Sequence, residues 1–73
     1  MAEDPLAQAQ RHVLEGEHRV ANQIELLAQM KADGDSERAI TAGEAVLVTL
    51  KRSLELAREH LALEQKERGI SPG

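Results

Sequence analysis

The stretch KADGDSERA, residues 31–39, decides the fold of this 73-residue chain, because it interrupts a sequence that is otherwise helical in pattern. Gly34 suits the position just past a helix end, which commonly takes the left-handed conformation that side chains disfavour. Asp35 or Ser36 then offers a side-chain oxygen to cap a new helix, and Glu37 lies at the positive end of that helix dipole. The stretch therefore predicts a hairpin turn over 34–36.

A first helix is predicted upstream of this turn, over about residues 5–33. Asp4 precedes Pro5, and an Asp that caps free N–H groups followed by a Pro at the first helical position is a typical helix start. Beyond it, apolar and small residues recur at alternating spacings of three and four, which indicates one packed helix face. The members of this stripe are Leu6, Ala9, Val13, Gly16, Val20, Gln23, Leu27 and Met30.

A second helix is predicted downstream, over about residues 37–68, followed by a frayed tail over 69–73. The same spacing restarts after the turn, and its members are Ile40, Gly43, Leu47, Leu50, Leu54, Ala57 and Leu61. A straight continuation of the first stripe would instead use positions 34, 37, 41, 44 and 48. Because the phase breaks at the turn, the chain is predicted to fold back on itself and not to form one long rod. We call the two stripes together the seam.

The fold class predicted is all-α, a single domain made of a two-helix antiparallel hairpin. Residues whose numbers add up to about 70 should lie level with each other across the seam. Leu27 then faces Gly43, while two further levels pair Val20 with Leu50 and Val13 with Ala57. A large side chain opposite a small one lets two helices approach closely, and this explains why Gly16, which weakens a helix, is tolerated inside one.

Apolar residues outside the seam predict that the hairpin has a partner. They are Leu14, Ala21, Ile24, Leu26, Ala28, Val46, Val48, Leu56 and Leu63, more than one neighbouring helix can cover. The simplest arrangement is a homodimer in which two hairpins form an antiparallel four-helix bundle. The alternative is a different protein that supplies the missing helices. The predicted interface residues are Val13, Val20, Ile24, Leu27, Leu47, Leu50, Leu54, Leu56 and Leu61.

Two histidines are the best candidates for metal chemistry. His12 and His60 come from different helices but should lie at the same end of the hairpin, with Glu15 and Glu59 near them, and imidazole with carboxylate can bind zinc or a similar ion. The interpretation we favour is that both histidines flank the seam and hydrogen-bond to carboxylates across it. We therefore predict no metal and no cofactor, and keep a metal-binding bundle as the alternative. His18 should be solvated.

Gln23 is the one polar amide in the first stripe, and two interpretations stay open. A buried polar side chain can fix helix register or dimer pairing. Equally, the amide can extend past its neighbours to water. The charged residues mostly indicate a solvated face with pairs three or four residues apart. The pairs expected are Glu15 with Arg19, Glu55 with Arg58 and Glu64 with Arg68.

Composition narrows the function classes. The chain has no Phe, Trp or Tyr and no cysteine, which excludes disulfides, thiolate zinc sites, thiol nucleophiles and the large aromatic side chains on which bases usually stack. Its net charge of -4 disfavours nucleic acid, so a nucleic-acid binder centred on the basic residues Lys51, Arg52 and Arg58 is kept only as the less favoured alternative. No apolar run approaches the roughly 20 residues that span a bilayer, and the acidic start does not resemble a signal peptide. We expect a cytoplasmic, non-catalytic interaction or regulatory module.

Three segments, RHVLEGEHRVANQ, LLAQMKADGD and LKRSLELAREHL, resemble a group of short, uncharacterised bacterial helical-hairpin proteins. These share a His-x-x-Glu-x-Glu stretch, an Asp-Gly turn and a Leu-rich second helix that ends in His. The resemblance covers about residues 11–61 and implies a fold but no activity. The matching positions are His12, Glu15, Glu17, Gln23, Asp33, Gly34, Leu47, Leu50, Leu54 and His60.

The architecture is also similar to that of the Rop-type plasmid copy-number regulators, two-helix hairpins that dimerise into four-helix bundles. Those proteins bind paired RNA loops through a basic, Phe-containing face of helix 1. Here the first helix has only Arg11 and Arg19 as basic residues between Leu6 and Met30, and it has no Phe. The similarity implies a fold class and not RNA binding.

Overall fold

A computed structural model describes residues 4–69, which form two antiparallel helices. Helix α1 spans Pro5–Ala32 and helix α2 spans Glu37–Glu67. The hairpin measures about 50 × 25 × 17 Å. The predicted all-α hairpin is confirmed, and each helix ends one residue earlier than the sequence predicted. The tail was predicted over 69–73, and its residues 70–73 lie outside the described part of the chain.

The turn between the helices has the conformation predicted for it. Gly34 has φ +71°, and its N–H donates to the Lys31 carbonyl at 3.2 Å. The next N–H, of Asp35, donates to the Met30 carbonyl at 3.0 Å, which completes a Schellman motif. Of the two candidate caps, Ser36 is the one used: its Oγ accepts from the Ala39 N–H at 3.2 Å.

The start of α1 differs from the prediction in one respect. Asp4 is the N-cap residue by position, but its carboxylate accepts no capping hydrogen bond. Its Oδ1 instead accepts from the Arg68 guanidinium, at the far end of the chain. A hydrogen bond from a charged donor to a carboxylate is stronger than one from a neutral N–H, which is consistent with this choice of partner. The prediction that Asp4 caps the helix was therefore wrong.

The core of the hairpin is the predicted seam, and it is small. Ala9, Leu27 and Leu54 are buried, at 0%, 6% and 6% exposure. Every other seam residue is half-buried, and no residue off the two stripes is fully buried among those described. Neither helix in the described part of the chain is long and apolar enough to cross a membrane.

Two glycines let the helices approach closely. A Cβ added to Gly43 would lie 2.8 Å from Leu27 Cδ2, and one added to Gly16 would lie 3.0 Å from Leu54 Cδ1. The predicted level of Leu27 with Gly43 is thus confirmed. Gln23 lies at the same point of the seam, where its Nε2 donates to the Gly43 carbonyl at 2.9 Å. Within the hairpin the amide therefore contributes to register and does not simply extend to water.

Candidate functional site: two uncovered flanks

The hairpin leaves large apolar side chains exposed on both sides of its seam. Among residues 4–69, seven are at least 47% exposed, with Val48 the most exposed at 67%. Helical spacing divides them between two flanks, because residues three, four and seven apart share one side of a helix. The seven are Leu14, Ile24, Leu26, Val46, Val48, Leu56 and Leu63.

The first side, which we call the groove flank, is identified by a cross-helix ion pair. Arg58 Nη2 of α2 lies 3.3 Å from Glu17 Oε2 of α1. Ile24 is seven residues after Glu17 on α1, and Val48 is ten residues before Arg58 on α2, so both lie on the side that this ion pair occupies. Leu14 belongs to the same flank, nearer the open end of the hairpin.

An open groove of about 440 Å³ runs along this flank next to the turn. Its apolar lining comes from Ile24, Leu27, Ala28, Leu47 and Val48. The other two lining residues are charged: Lys31 on the α1 wall and Glu44 on the α2 wall. The groove is therefore an apolar trough with one positive and one negative edge.

The second side, which we call the opposite flank, is apolar mainly on α2. Val46, Leu56 and Leu63 follow one another there at helical spacings, with Leu26 contributed by α1.

The predicted interface residues do not form one surface. Only Ile24 and Leu56 remain substantially exposed, and they lie on different flanks. The others are seam residues that the hairpin itself covers wholly or in part: Val13, Val20, Leu27, Leu47, Leu50, Leu54 and Leu61. Periodicity identifies apolar positions but does not separate those covered within a chain from those left for a partner. Ala28 was predicted as apolar surface outside the seam but not as an interface residue. Lys31 and Glu44 were absent from the predicted interface, although their spacing from Ile24 and Val48 placed them on the same side.

The four candidate metal ligands are not gathered into a site. Among residues 4–69, no three His, Asp or Glu side chains are arranged to hold an ion. His60 Nε2 lies 3.3 Å from Glu64 Oε1, one turn along its own helix. Glu15 lies between Arg11 at 3.3 Å and Arg19 at 3.9 Å. The remaining candidates, His12 and Glu59, are exposed.

Four predicted polar contacts need correction. His12 makes no hydrogen bond to a carboxylate across the seam within the described residues. His60 does not bond to a carboxylate across the seam, because Glu64 is closer on the same helix. Arg58 pairs with Glu17 across the hairpin and not with Glu55, and Arg68 pairs with Asp4 and not with Glu64. The predicted pair of Glu15 with Arg19 is present, and His18 is exposed as expected.

Comparison with known proteins adds no functional assignment. No protein-family model, no curated protein and no solved structure matches the chain. The resemblance to short bacterial hairpin proteins stays a prediction.

Proposed function

We propose that this chain is a non-catalytic helical interaction module that self-associates, with two hairpins forming an antiparallel four-helix bundle. One observation carries the proposal: of the side chains that the structure describes, the hairpin buries three and exposes seven large apolar ones. Exposed apolar side chains are common singly, but a helix pair with apolar residues along both flanks has surface that a partner is expected to cover.

The small size of the core also supports self-association. Isolated helices are marginal in water, and most helical stability comes from packing an apolar face. Domains of this length need a core that is large for their size, or else a metal, disulfides or oligomerisation. The sequence has no cysteine, and the described residues gather no metal site, so oligomerisation is the remaining route that fits.

A bundle of four helices fits the two stripes of each hairpin. Each helix of a bundle buries a stripe about three residues wide in every seven, wider than the two-residue seam of a simple helix pair. On α1 the groove flank adds such positions to the seam, with Ile24 and Ala28 beside Leu27. A second hairpin would cover them, and the charged residues at the outer positions would stay in water.

The test is a dilution series in which light scattering gives the mass and far-UV circular dichroism gives the helicity of the same samples. We expect a helical particle of twice the chain mass that loses mass and helicity together on dilution, because folding and association are linked. A fully helical monomer at every concentration would contradict self-association. A poorly helical monomer would instead favour a different protein as the partner.

A further inference from the structure

We propose that the groove flank is the contact between the two copies, with Lys31 of each chain paired with Glu44 of the other. This assignment rests on the proposed self-association and names its surface and geometry. The occupant of the groove is thus a second copy of this chain, seated on Ile24, Ala28 and Val48.

The groove has the shape and lining that such a contact needs. Its floor is formed by the seam residues Leu27 and Leu47, and its apolar walls include Ile24 at 49% exposure and Val48 at 67%. A volume of about 440 Å³ has room for several aliphatic side chains. Ile24 and Val48 of a second copy are therefore the right size and chemistry to fill it, as they do in packed protein interfaces.

The two charged edges favour a copy of the same chain as occupant. In a two-fold symmetric dimer, the same patch of both copies forms the contact. A patch with one positive and one negative edge is then self-complementary, provided that the two charges lie at the same height along the hairpin. The residue numbers of Lys31 and Glu44 add up to the same value as those of Glu17 and Arg58, which pair across the hairpin. The two residues are therefore level, one on each helix.

Although Lys31 and Glu44 lie level on the two helices, they do not pair with each other. Within the described residues neither side chain makes an ion pair or a hydrogen bond. Glu17 and Arg58 have the same positions relative to each other across the hairpin, and there Glu17 Oε2 and Arg58 Nη2 lie 3.3 Å apart. The two charges instead form the facing walls of the groove. Both are available to a partner that enters between them.

The pairing fixes how the two hairpins are arranged. With the two-fold axis along the hairpin length, α1 of one copy faces α2 of the other, and both turns lie at the same end. Two equivalent pairs then form, each between Lys31 of one copy and Glu44 of the other, and each helix is antiparallel to both of its neighbours. With the axis across the hairpin, the turn of one copy would lie beside the open end of the other, and neither Lys31 nor Glu44 would find its match.

The opposite flank lacks the feature that favours a second copy on the groove flank. Its apolar residues come mainly from α2, while the α1 side of it carries His12, Glu15 and Arg19, of which the last two are paired on their own helix. The groove flank also carries charges, including the Glu17–Arg58 pair, but there Lys31 and Glu44 lie level across the seam without pairing. Self-complementarity, and not a lack of charge, therefore favours the groove flank.

The experiment reverses the two charges separately and then mixes the products. K31E and E44K are prepared as separate full-length chains. Each alone places like charges together twice in the dimer, so we expect its dissociation constant to rise about tenfold or more. In an equimolar mixture the two chains complement each other, and native mass spectrometry should show heterodimer well above the half that random pairing gives.

Two control variants distinguish the effect of pairing between Lys31 and Glu44 from the effect of a changed net charge. R52E has the same net charge as K31E, and E25K the same as E44K, but both control positions lie on the outer faces of the helices and outside the groove. The control mixture should pair near-randomly. Equal heterodimer enrichment in both mixtures would overturn the assignment, as would random pairing in the K31E and E44K mixture.

Failure of this assignment is distinguishable from failure of the proposed function. If the unmodified chain is a dimer and the charge reversals leave its dissociation constant unchanged, self-association stands and the groove is not its surface. If the unmodified chain is a monomer at every concentration, both proposals fail.

Discussion

At the scale of single residues, Gly34 is the position with the clearest conformational requirement. Its φ of +71° costs an L side chain about 1–2 kcal/mol, although a Cβ there would touch nothing within 4 Å. We expect Gly34→Ala to lower the free energy of unfolding by about 1 kcal/mol, measured by urea denaturation at fixed protein concentration. Gly34→Asn should cost less, since Asn tolerates this conformation. Equal costs for the two variants would argue against a backbone origin.

Gln23 gives a second prediction at this scale. Its Nε2 donates to the Gly43 carbonyl in a partly buried position, so Gln23→Glu would place a carboxylate against a carbonyl oxygen at pH 7. We expect a loss of about 1–2 kcal/mol in the free energy of unfolding. Gln23→Met, which also removes the donor but adds no charge, should cost less because it leaves no charge beside the carbonyl.

The Gln23→Glu penalty should depend on pH in a defined direction. Folding places this carboxylate against an acceptor, so the folded state favours the protonated form and raises the pKa of the introduced Glu. The penalty is then full at neutral pH and shrinks as pH falls through the raised pKa, because the protonated acid donates to the carbonyl. Unfolding of variant and unmodified protein at pH 7 and pH 4 measures the difference. A penalty of the same size at both pH values would exclude this mechanism.

At the scale of the elements, the first turn of α2 depends on one cap. Ser36 Oγ accepts from the Ala39 N–H, and replacing such a cap by Ala typically costs about 1 kcal/mol. We expect this loss in Ser36→Ala and recovery of most of it in Ser36→Asp, both measured by thermal unfolding. Asp35→Ala is the matched control, because its side chain makes no hydrogen bond within the described residues. A larger effect at Asp35 than at Ser36 would contradict this cap assignment.

The ends of the two helices at the turn were predictable because several sequence patterns indicate the same boundary. Gly34 ends α1, Ser36 starts α2, and the seam changes phase between them, so three independent patterns indicate the same turn. The charged contacts were not predictable in the same way. Exposed ion pairs contribute little each, so a long side chain such as that of Arg58 or Arg68 has several partners of similar energy within reach. Sequence spacing shows the partners on the same helix and the level of residues across the seam, but not which of several reachable partners a long charged side chain takes.

At the scale of the whole molecule, the sequence predicted that apolar surface would remain uncovered but not where it would lie. The separation of Ile24 and Val48 from Leu26 and Leu56 depends on which side of the seam each residue occupies. That in turn depends on how the two helices face each other, and the Glu17–Arg58 pair reveals this only once the hairpin is built. The groove is thus a property of the helix pair and not of either helix.

The two flanks make opposite predictions for one matched pair of variants. Val48 and Leu56 are similarly exposed, at 67% and 60%, and lie on the same helix but on different flanks. Val48→Lys would place a charge in the proposed contact, where an uncompensated buried charge is strongly unfavourable. We expect it to shift the chain to monomer and to lower its helicity at micromolar concentration. Leu56→Lys should leave the dimer intact, because its ammonium group would remain in water.

The measurement is the mass by light scattering for both variants and the unmodified chain over one concentration range. Both substitutions add the same charge and remove one exposed aliphatic side chain, so a difference between them reports position alone. Loss of the dimer in Leu56→Lys with retention in Val48→Lys would move the contact to the opposite flank. Loss in both would mean that each hairpin uses two surfaces, and the assembly would then have to contain more than two copies, because a two-fold dimer covers only one flank of each hairpin.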